Sequence, residues 1–241
     1  MAFRRTIAAL IAAVAITSVA SGARSGEPGP VVVELFTSQG CSSCPPADQY
    51  LGELSGRGDV IALSFHVDYW NYMGWTDPFS RPEFTKRQRY YREALGLRYV
   101  YTPQMVVDGR TEGIGSDRTA IEHQIREAAA RPRVPVTMAM EAGTLTVNLP
   151  AVADAPLAMI WFVVFDRQHR TKVGRGENAG RSIANAHVVR QIVAIGTWAG
   201  DAKRLTYMPE GMTRDQGCAV ILQTEKQGPI LGAAMIRPPT S

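Results

Sequence analysis

The chain has 241 residues, of which 45% are hydrophobic, and a formal net charge of +4 at pH 7. A charge so near balance does not indicate a nucleic-acid or membrane-surface partner, because those functions use concentrated basic segments. The length suits one large domain or two domains of roughly 100 residues each.

The first 23 residues have the layout of a secretory signal peptide. Arg4 and Arg5 precede an apolar core at residues 6–19, and small residues at 21–23 offer a cleavage site. That core is short for crossing a bilayer, which needs roughly 20 apolar residues. We therefore predict an exported protein, periplasmic or secreted, that has no membrane contact after cleavage.

Residues 30–131 alternate apolar strand-like runs with helical segments. We predict strands at 31–36, 60–67 and 104–107, and helices at 45–54, 82–95 and 117–130. The pair Asp108-Gly109, directly after the third strand, is a strong hairpin signal. This order of elements predicts a small α/β domain.

Residues 132–241 show a different pattern, which begins after the break at Pro132 and Pro135. Short apolar runs separated by turn residues predict seven strands, at 134–140, 144–149, 157–165, 187–195, 203–207, 218–224 and 230–236. Seven such strands in about 100 residues are typical of an immunoglobulin-like domain. We therefore predict that an all-β sandwich follows the α/β domain.

Cys41 and Cys44 are three positions apart, where the first strand gives way to the first helix. The partial positive charge of a helix N-terminus favours a thiolate on Cys41, and Cys44 is near enough to close or resolve a disulfide with it. A fixed structural disulfide is the alternative, although so short a loop gives little stabilisation. Cys218 opens an apolar run, which predicts a buried, unreactive thiol.

Two segments resemble parts of known redox proteins. Residues 36–44 are similar to the active-site segment of glutaredoxins, and residues 101–109 to the cis-proline loop of disulfide oxidoreductases. With the order of elements, residues 30–131 resemble the thioredoxin-like superfamily. The whole chain, through residues 66–70 and 175–181, also resembles the secreted bacterial domain-of-unknown-function family 1223.

The resemblance to thioredoxin-like oxidoreductases implies roles for individual residues. Cys41 would be the exposed nucleophile and Cys44 the buried resolving thiol. Pro103 would be a cis-proline, and Thr102 would hold the backbone of a bound peptide. The two serines between the cysteines replace the residues usual there, so the direction of electron flow does not carry over.

Glu34 lies in the first predicted strand, where related oxidoreductases often carry a buried acid. It is either a carrier for the proton of the resolving thiol, with a raised pKa, or a strand residue that faces solvent. Tyr69, Trp70 and Trp75 follow the second strand. Aromatic side chains beside a dithiol can form an apolar docking surface for a substrate.

His66 ends the second predicted strand and has two interpretations. It is a core histidine bonded to a carboxylate such as Asp68, or a third metal ligand beside Cys41 and Cys44. The metal site would resemble that of thioredoxin-fold copper chaperones. Those proteins typically have three residues between the cysteines, whereas this chain has two.

The sequence as a whole predicts an exported thiol–disulfide oxidoreductase whose cofactor is the redox-active disulfide Cys41–Cys44. Its partners would be a protein or small-molecule thiol or disulfide, and a redox partner protein. Two alternatives stay open. One is a copper-binding or metal-delivery protein that uses the dithiol and His66, since soft thiolates select Cu(I). The other is a non-catalytic binding module with a structural disulfide.

Overall fold

A computed structural model describes residues 29–238, so the predicted signal peptide at residues 1–23 lies outside the described residues. Three α-helices and eleven strands make up this part of the chain. In order they are β1 (Val31–Thr37), α1 (Pro45–Ser55), β2 (Val60–His66), α2 (Pro82–Ala94), β3 (Gln104–Val107), β4 (Thr111–Ile114), α3 (Arg118–Ala129), β5 (Thr137–Glu141), β6 (Thr144–Leu149), β7 (Ala158–Lys172), β8 (Ser182–Trp198), β9 (Lys203–Tyr207), β10 (Gly217–Thr224) and β11 (Ile230–Ile236). Within residues 29–238, none of the helices has the length and apolarity to cross a bilayer.

Eight strands form one mixed sheet in the order β11-β10-β7-β8-β2-β1-β3-β4. β1 and β2 run parallel and are connected through α1, while β3 pairs antiparallel with β1. β3 and β4 form the hairpin that Asp108 and Gly109 predict. The other three strands form a small antiparallel sheet in the order β5-β6-β9. The fold is therefore mixed α/β with a parallel β–α–β core.

Both faces of β1 are buried, which explains its continuous apolar sequence. Val33 and Leu35 face a core shared with α1 and α3. Val32 and Phe36 face a second core on the side of α2. Because side chains alternate along a strand, the parity of a residue decides which helix covers it.

The predicted separate sandwich differs from the structure in how its strands pair. The second half does contain seven strands, but β7, β8, β10 and β11 extend the sheet of the first half. The join is β8, which lies parallel to β2 where Ser64 pairs with Val188. The β5-β6-β9 sheet packs on one face of these strands, in a core that includes Val147, Phe162 and Val220.

The physical reason for this join is the edge of β2. Every residue of β2 is buried, and an apolar edge left open would pair with another chain. An apolar run in the sequence reveals a strand but not its neighbour, so the pattern alone could not show that β8 covers this edge. The division of the chain into domains at residue 131 stays a prediction.

β7 and β8 are both longer than predicted. Beyond the bulge near Val164 they continue as a ribbon that ends where Lys172 pairs with Ser182. That ribbon is rich in polar and exposed residues, so no apolar run marks it in the sequence. Its tip, residues 173–181, is called the hairpin loop below, and Gly176 and Gly180 adopt positive φ angles of 75° and 80° in it.

Candidate redox site

Cys41 and Cys44 are joined by a disulfide, with their Cα atoms 5.4 Å apart. Cys44 is the N-cap residue of α1, and its carbonyl accepts hydrogen bonds from the backbone N–H groups of Ala47 and Asp48. Pro45 and the following proline occupy the first helical positions, where a missing N–H costs nothing. The disulfide therefore lies at the positive end of the helix dipole.

The hairpin loop packs over residues 38–44, the segment that carries the disulfide and is called the redox loop below. The side-chain amide of Asn178 donates to the carbonyl oxygens of Gln39 at 3.0 Å and Cys41 at 2.8 Å. The backbone N–H of Ser42 donates to a carboxylate oxygen of Glu177 at 3.2 Å. Cys41 is only 1% exposed, so the predicted exposure of this residue is wrong. The covering segment lies far away in sequence, which is why the local motif did not reveal it.

The two serines between the cysteines are exposed, unlike the cysteines themselves. The hydroxyl oxygen of Ser43 lies 3.3 Å from Sγ of Cys41. In the reduced protein this hydroxyl is placed to donate to a Cys41 thiolate, which would stabilise the charged form.

The peptide bond between Thr102 and Pro103 is cis, as predicted. The hydroxyl of Thr102 accepts a hydrogen bond of 2.7 Å from the indole N–H of Trp70. Trp70 also packs against the loop before the dithiol, since a Cβ at Gly40 would lie 3.2 Å from the Trp70 Cβ. Trp70 therefore connects the cis-proline loop to the redox loop.

The other two predicted docking residues lie on either side of Trp70. The indole N–H of Trp75 donates to the side-chain oxygen of Gln39 at 3.2 Å, and the hydroxyl of Tyr69 donates to Gln88 of α2 at 3.2 Å. All three aromatic residues are half-buried. Trp70 and Trp75 thus reach the redox loop, whereas Tyr69 is directed towards α2, and a role in substrate docking stays a prediction.

Glu34 is fully buried, so the solvent-facing alternative is wrong. Its two carboxylate oxygens accept hydrogen bonds from the guanidinium of Arg87 at 2.6 and 3.1 Å, and the Tyr91 hydroxyl also donates to one of them. Gln223 completes this group by accepting from Arg87 and donating to Tyr91. Glu34 alternates with Leu35, so it lies on the α2 face of the sheet, whereas α1 packs on the other face. This arrangement does not favour Glu34 as a proton carrier for Cys44. We call the group of Glu34, Arg87, Tyr91 and Gln223 the arginine cluster.

His66 is buried and bonded to a carboxylate, but the partner is Asp77 instead of Asp68. Its Nδ1 lies 2.7 Å from Oδ2 of Asp77, and both side chains are 0% exposed. Burial opposes a charge on the imidazole, yet the carboxylates of Asp77 and Asp48 together outweigh it and raise the pKa of His66. Burial also opposes a charge on Asp77, but His66 and the backbone N–H groups of Gln39 and Phe79 outweigh it and lower the pKa of Asp77.

The predicted metal set is not assembled in this structure. Cys41 and Cys44 are bonded to each other. Within residues 29–238 there is also no group of three or more His, Cys, Asp or Glu side chains placed to hold a metal ion. His66 therefore belongs to an ion pair with Asp77, and the sequence analysis missed Asp77 as its partner.

Asp48 is a second residue that the sequence analysis missed. It lies in α1 four residues after Cys44 and is 3% exposed. The Thr37 hydroxyl donates to its Oδ1 at 2.8 Å. Burial raises the pKa of Asp48 to about 7. The signal in the sequence was the spacing, because residues four apart in a helix share a face.

Several polar side chains converge below the disulfide on the α1 face of the sheet. The side chains of Thr37, Ser64 and His66 point to that face, because they alternate with residues that face α2. Asn185 accepts a hydrogen bond from the side chain of Gln39 at 3.0 Å. Four buried polar atoms here have no hydrogen-bond partner within residues 29–238; they are Asp48 Oδ2, Ser64 Oγ, His66 Nε2 and Asn185 Nδ2. We call Thr37, Asp48, Ser64, His66, Asp77 and Asn185 the dithiol cluster.

Cys218 is buried at 0% exposure in the core between the two sheets, as predicted. Burial raises the pKa of its thiol to about 11. This cysteine is therefore unreactive at neutral pH.

Comparison with known proteins places this site in a wider family. A family model described as "Protein of unknown function (DUF1223)" matches residues 32–223. The X-ray structure of the structural-genomics target AtR35 from Agrobacterium tumefaciens is 34% identical, with a TM-score of 0.77, over 88% of this chain and 95% of that chain. HBP35 of Porphyromonas gingivalis has a TM-score of 0.63 at 17% identity, over 89% of this chain and 78% of that chain, which indicates a shared fold alone. No curated protein matches the chain.

Proposed function

The chain belongs to the DUF1223 family, and we propose that it is an exported thiol–disulfide oxidoreductase. The observation that carries this proposal is the disulfide Cys41–Cys44 at the N-terminus of α1, inside a thioredoxin-like β–α–β core. A helix N-terminus stabilises a thiolate, and a thiolate is the species that attacks or leaves in disulfide exchange. The export signal at residues 1–23 supports an oxidising compartment.

In the oxidised protein, a thiolate of the substrate attacks Sγ of Cys41 and breaks the bond to Cys44. Cys44 leaves as a thiolate and takes up a proton. A second substrate thiolate then attacks the mixed disulfide and releases Cys41, so that the substrate loses two electrons and the protein dithiol gains them. The reduced protein performs the same steps in reverse on a substrate disulfide.

The substrate needs access to Cys41, which the hairpin loop covers. Asn178 and Glu177 hold that loop on the redox loop through side-chain hydrogen bonds to backbone groups. Displacement of the loop would expose Cys41 next to Trp70 and Trp75. We therefore propose that the substrate is a protein or small-molecule thiol or disulfide with an apolar part that contacts these indole rings.

The experiment is disulfide exchange with a model peptide disulfide. The wild-type protein and the Cys218→Ala variant should react at equal rates, because Cys218 is buried in another core. The Cys41→Ala variant should lose exchange altogether, and Cys44→Ala should stop at a mixed disulfide that a mass spectrum detects. Full exchange by Cys41→Ala would defeat the proposal.

A fixed structural disulfide is the second candidate, because Cys41 is only 1% exposed and is held by Asn178. In that case the oxidised protein would resist reduction by thiols while it stays folded. The reduced protein would also lose stability and would not react with a model disulfide.

A further inference from the structure

We propose that Asp48 accepts the proton of the Cys44 thiol when Cys44 resolves a mixed disulfide on Cys41, and that it returns this proton to solvent through the cavity beside α1. This inference rests on the proposed oxidoreductase function. It assigns the proton transfer to α1 itself, instead of to Glu34 on β1.

The first support is the position of Asp48 relative to Cys44. The backbone N–H of Asp48 donates to the carbonyl of Cys44 at 3.1 Å, so helical geometry includes both residues. Residues four apart in a helix have Cβ atoms about 5–6 Å apart on the same face. Both side chains are buried, at 0% exposure for Cys44 and 3% for Asp48. A proton released by Cys44 therefore arises one helical turn from a buried carboxyl group.

The second support is the hydrogen bonding of Asp48. Its Oδ1 accepts from Thr37, whereas its Oδ2 makes no hydrogen bond of normal geometry within the part of the chain that the structure describes. The side chain of Asn185 is the nearby donor that lowers the pKa of Asp48 from that side. Buried carboxylate oxygens are normally paired, and an unpaired one next to a reactive group is free to take a proton. Glu34 offers a contrast, because both of its oxygens are occupied by Arg87 and Tyr91.

The surroundings of Asp48 balance its two protonation states. Burial raises the pKa of Asp48 to about 7, and among the nearby groups His66 favours the charged form while Asp77 opposes it. His66 of β2 and Asp77 of the segment after β2 are the charged groups that act on Asp48 directly. The other charged or titratable side chains nearby line the same cavity; they are Arg167 of β7, Arg181 of the hairpin loop, His187 of β8, Arg237 after β11 and Glu53 of α1. A group that changes charge near neutral pH is suited to proton exchange.

The third support is a route to solvent. A cavity of about 760 Å³ lies between α1 and the β7–β8 ribbon, and Pro45 and Asp48 form part of its wall. The exposed side chains of Gln49, Arg167 and Arg181 also line it, so the cavity opens to solvent. The proton therefore has a path that does not pass through the covered face of Cys41.

Cys44 loses its proton to Asp48, and the Cys44 thiolate attacks Sγ of Cys41. The bond between Cys41 and the substrate sulfur breaks, the Cys41–Cys44 bond forms, and the substrate leaves as a thiolate. Asp48 then releases its proton to the cavity, and the substrate thiolate takes one up from solvent. The protein dithiol is oxidised and the substrate disulfide is reduced.

The test follows the resolving step directly. The reduced full-length mature protein is mixed with bis(2-hydroxyethyl) disulfide, quenched with acid at intervals, and weighed by mass spectrometry at several pH values. In the wild type the mixed disulfide should decay faster as the pH rises through about 7, where Asp48 loses its proton. In Asp48→Asn this decay should be slower by on the order of 100-fold at neutral pH, as for the loss of a general base.

Two further measurements separate proton transfer from a structural defect. The rates of Asp48→Asn and wild type should converge as the pH rises further, because the Cys44 thiol ionises without a base once the pH exceeds its own pKa. Thr37→Val removes the hydrogen bond that lowers the pKa of Asp48, so it should move the wild-type inflection to higher pH. The control Glu127→Gln, on the exposed side of α3 and outside the lining of the cavity, should leave the profile unchanged.

The outcomes distinguish this inference from the proposed function. A wild-type protein that forms no mixed disulfide would overturn both. A wild type that forms and resolves it, with an unchanged rate and pH profile in Asp48→Asn, would overturn the role of Asp48 and leave the oxidoreductase standing. A slow Asp48→Asn variant whose rate stays equally depressed at high pH would also count against proton transfer.

Discussion

Two buried charged clusters lie on opposite faces of β1 and β2, and they are built differently. In the arginine cluster, both oxygens of Glu34 and both polar atoms of the Gln223 amide have hydrogen-bond partners. In the dithiol cluster, four buried polar atoms have no partner within residues 29–238. The first cluster is saturated, whereas the second, which lies next to the disulfide, is not.

The difference separates a structural role from a chemical one. A buried ion pair whose partners are all satisfied contributes to a unique packing and has nothing left to exchange. Unpaired buried groups are unfavourable for stability, so they concentrate where a protein carries out chemistry.

The arginine cluster should respond to substitution as a purely structural element. Arg87→Met would leave the carboxylate of Glu34 buried without its cation, which should lower the free energy of unfolding by roughly 3–5 kcal/mol in urea titrations. Lys86→Met is the matched control, since Lys86 is the exposed neighbour on α2 and should change stability by less than about 0.5 kcal/mol. A small loss in Arg87→Met would contradict the structural role, and so would Glu34→Gln if it changed the pH dependence of disulfide exchange.

Ionisation of Asp48 in the dithiol cluster should lower the free energy of unfolding as the pH rises. The pKa of Asp48 is raised by burial from 3.8 to about 7, so between these values the folded protein binds more protons than the unfolded chain. Stability should therefore fall from pH 4 to pH 7, and Asp48→Asn should be more stable than wild type above pH 7 by as much as about 4 kcal/mol. Urea titrations of the oxidised proteins at pH 5 and pH 8 measure this difference. A variant that is less stable than wild type at pH 8 would contradict it.

The hairpin loop should control access to the disulfide. Asn178→Ala removes two hydrogen bonds to the redox loop, each with a net contribution of roughly 0.5–1.5 kcal/mol. Opening of the loop should become easier, so reduction by dithiothreitol should accelerate by about tenfold for each 1.4 kcal/mol lost. Arg175→Ala, an exposed change in the same loop, is the control. Equal rates for both variants and wild type would show that Cys41 is reached by another path.

Substitution of Ser43 should have a small effect on the pKa of Cys41. The hydroxyl of Ser43 lies 3.3 Å from Sγ of Cys41. Ser43→Ala should therefore destabilise the Cys41 thiolate by about 1 kcal/mol, which lowers the ionisation constant of the thiol by roughly fivefold. Alkylation of the reduced protein by iodoacetamide across pH reports the pKa of Cys41, which should rise. Ser42→Ala, at the neighbouring serine, should leave this pKa unchanged. A rise in both variants would mean that the effect comes from the loop and not from this hydroxyl.

Much of the local structure could be predicted from the sequence, because it depends on short-range signals. The first half reads as alternating strands and helices, and Asp117 caps α3 through a hydrogen bond to the N–H of Ala120. Strand partners depend on residues far apart in the chain. The apolar run around Val188 predicts a strand, but nothing local shows that it pairs with β2 at Ser64.

The residues of the site also divide into those that local sequence predicts and those that distant segments contribute. The Cys41–Cys44 pair and the cis bond before Pro103 are visible in short motifs. Asn178, which donates to the carbonyl of Cys41, lies 137 residues away and could not be predicted from local sequence. The strand position of Glu34 suggests a proton carrier, yet its side chain lies with Arg87 on the face of the sheet away from α1.

The reduction potential of the Cys41–Cys44 disulfide distinguishes a redox-active pair from a structural one. The Cys218→Ala protein is equilibrated with mixtures of reduced and oxidised glutathione at pH 7, and the fraction of free thiols is counted after alkylation. A redox-active pair should have a potential above roughly −300 mV, so that it exchanges electrons with this buffer. A pair that stays fully oxidised in excess reduced glutathione would instead be a structural disulfide, and the proposed oxidoreductase function would be wrong.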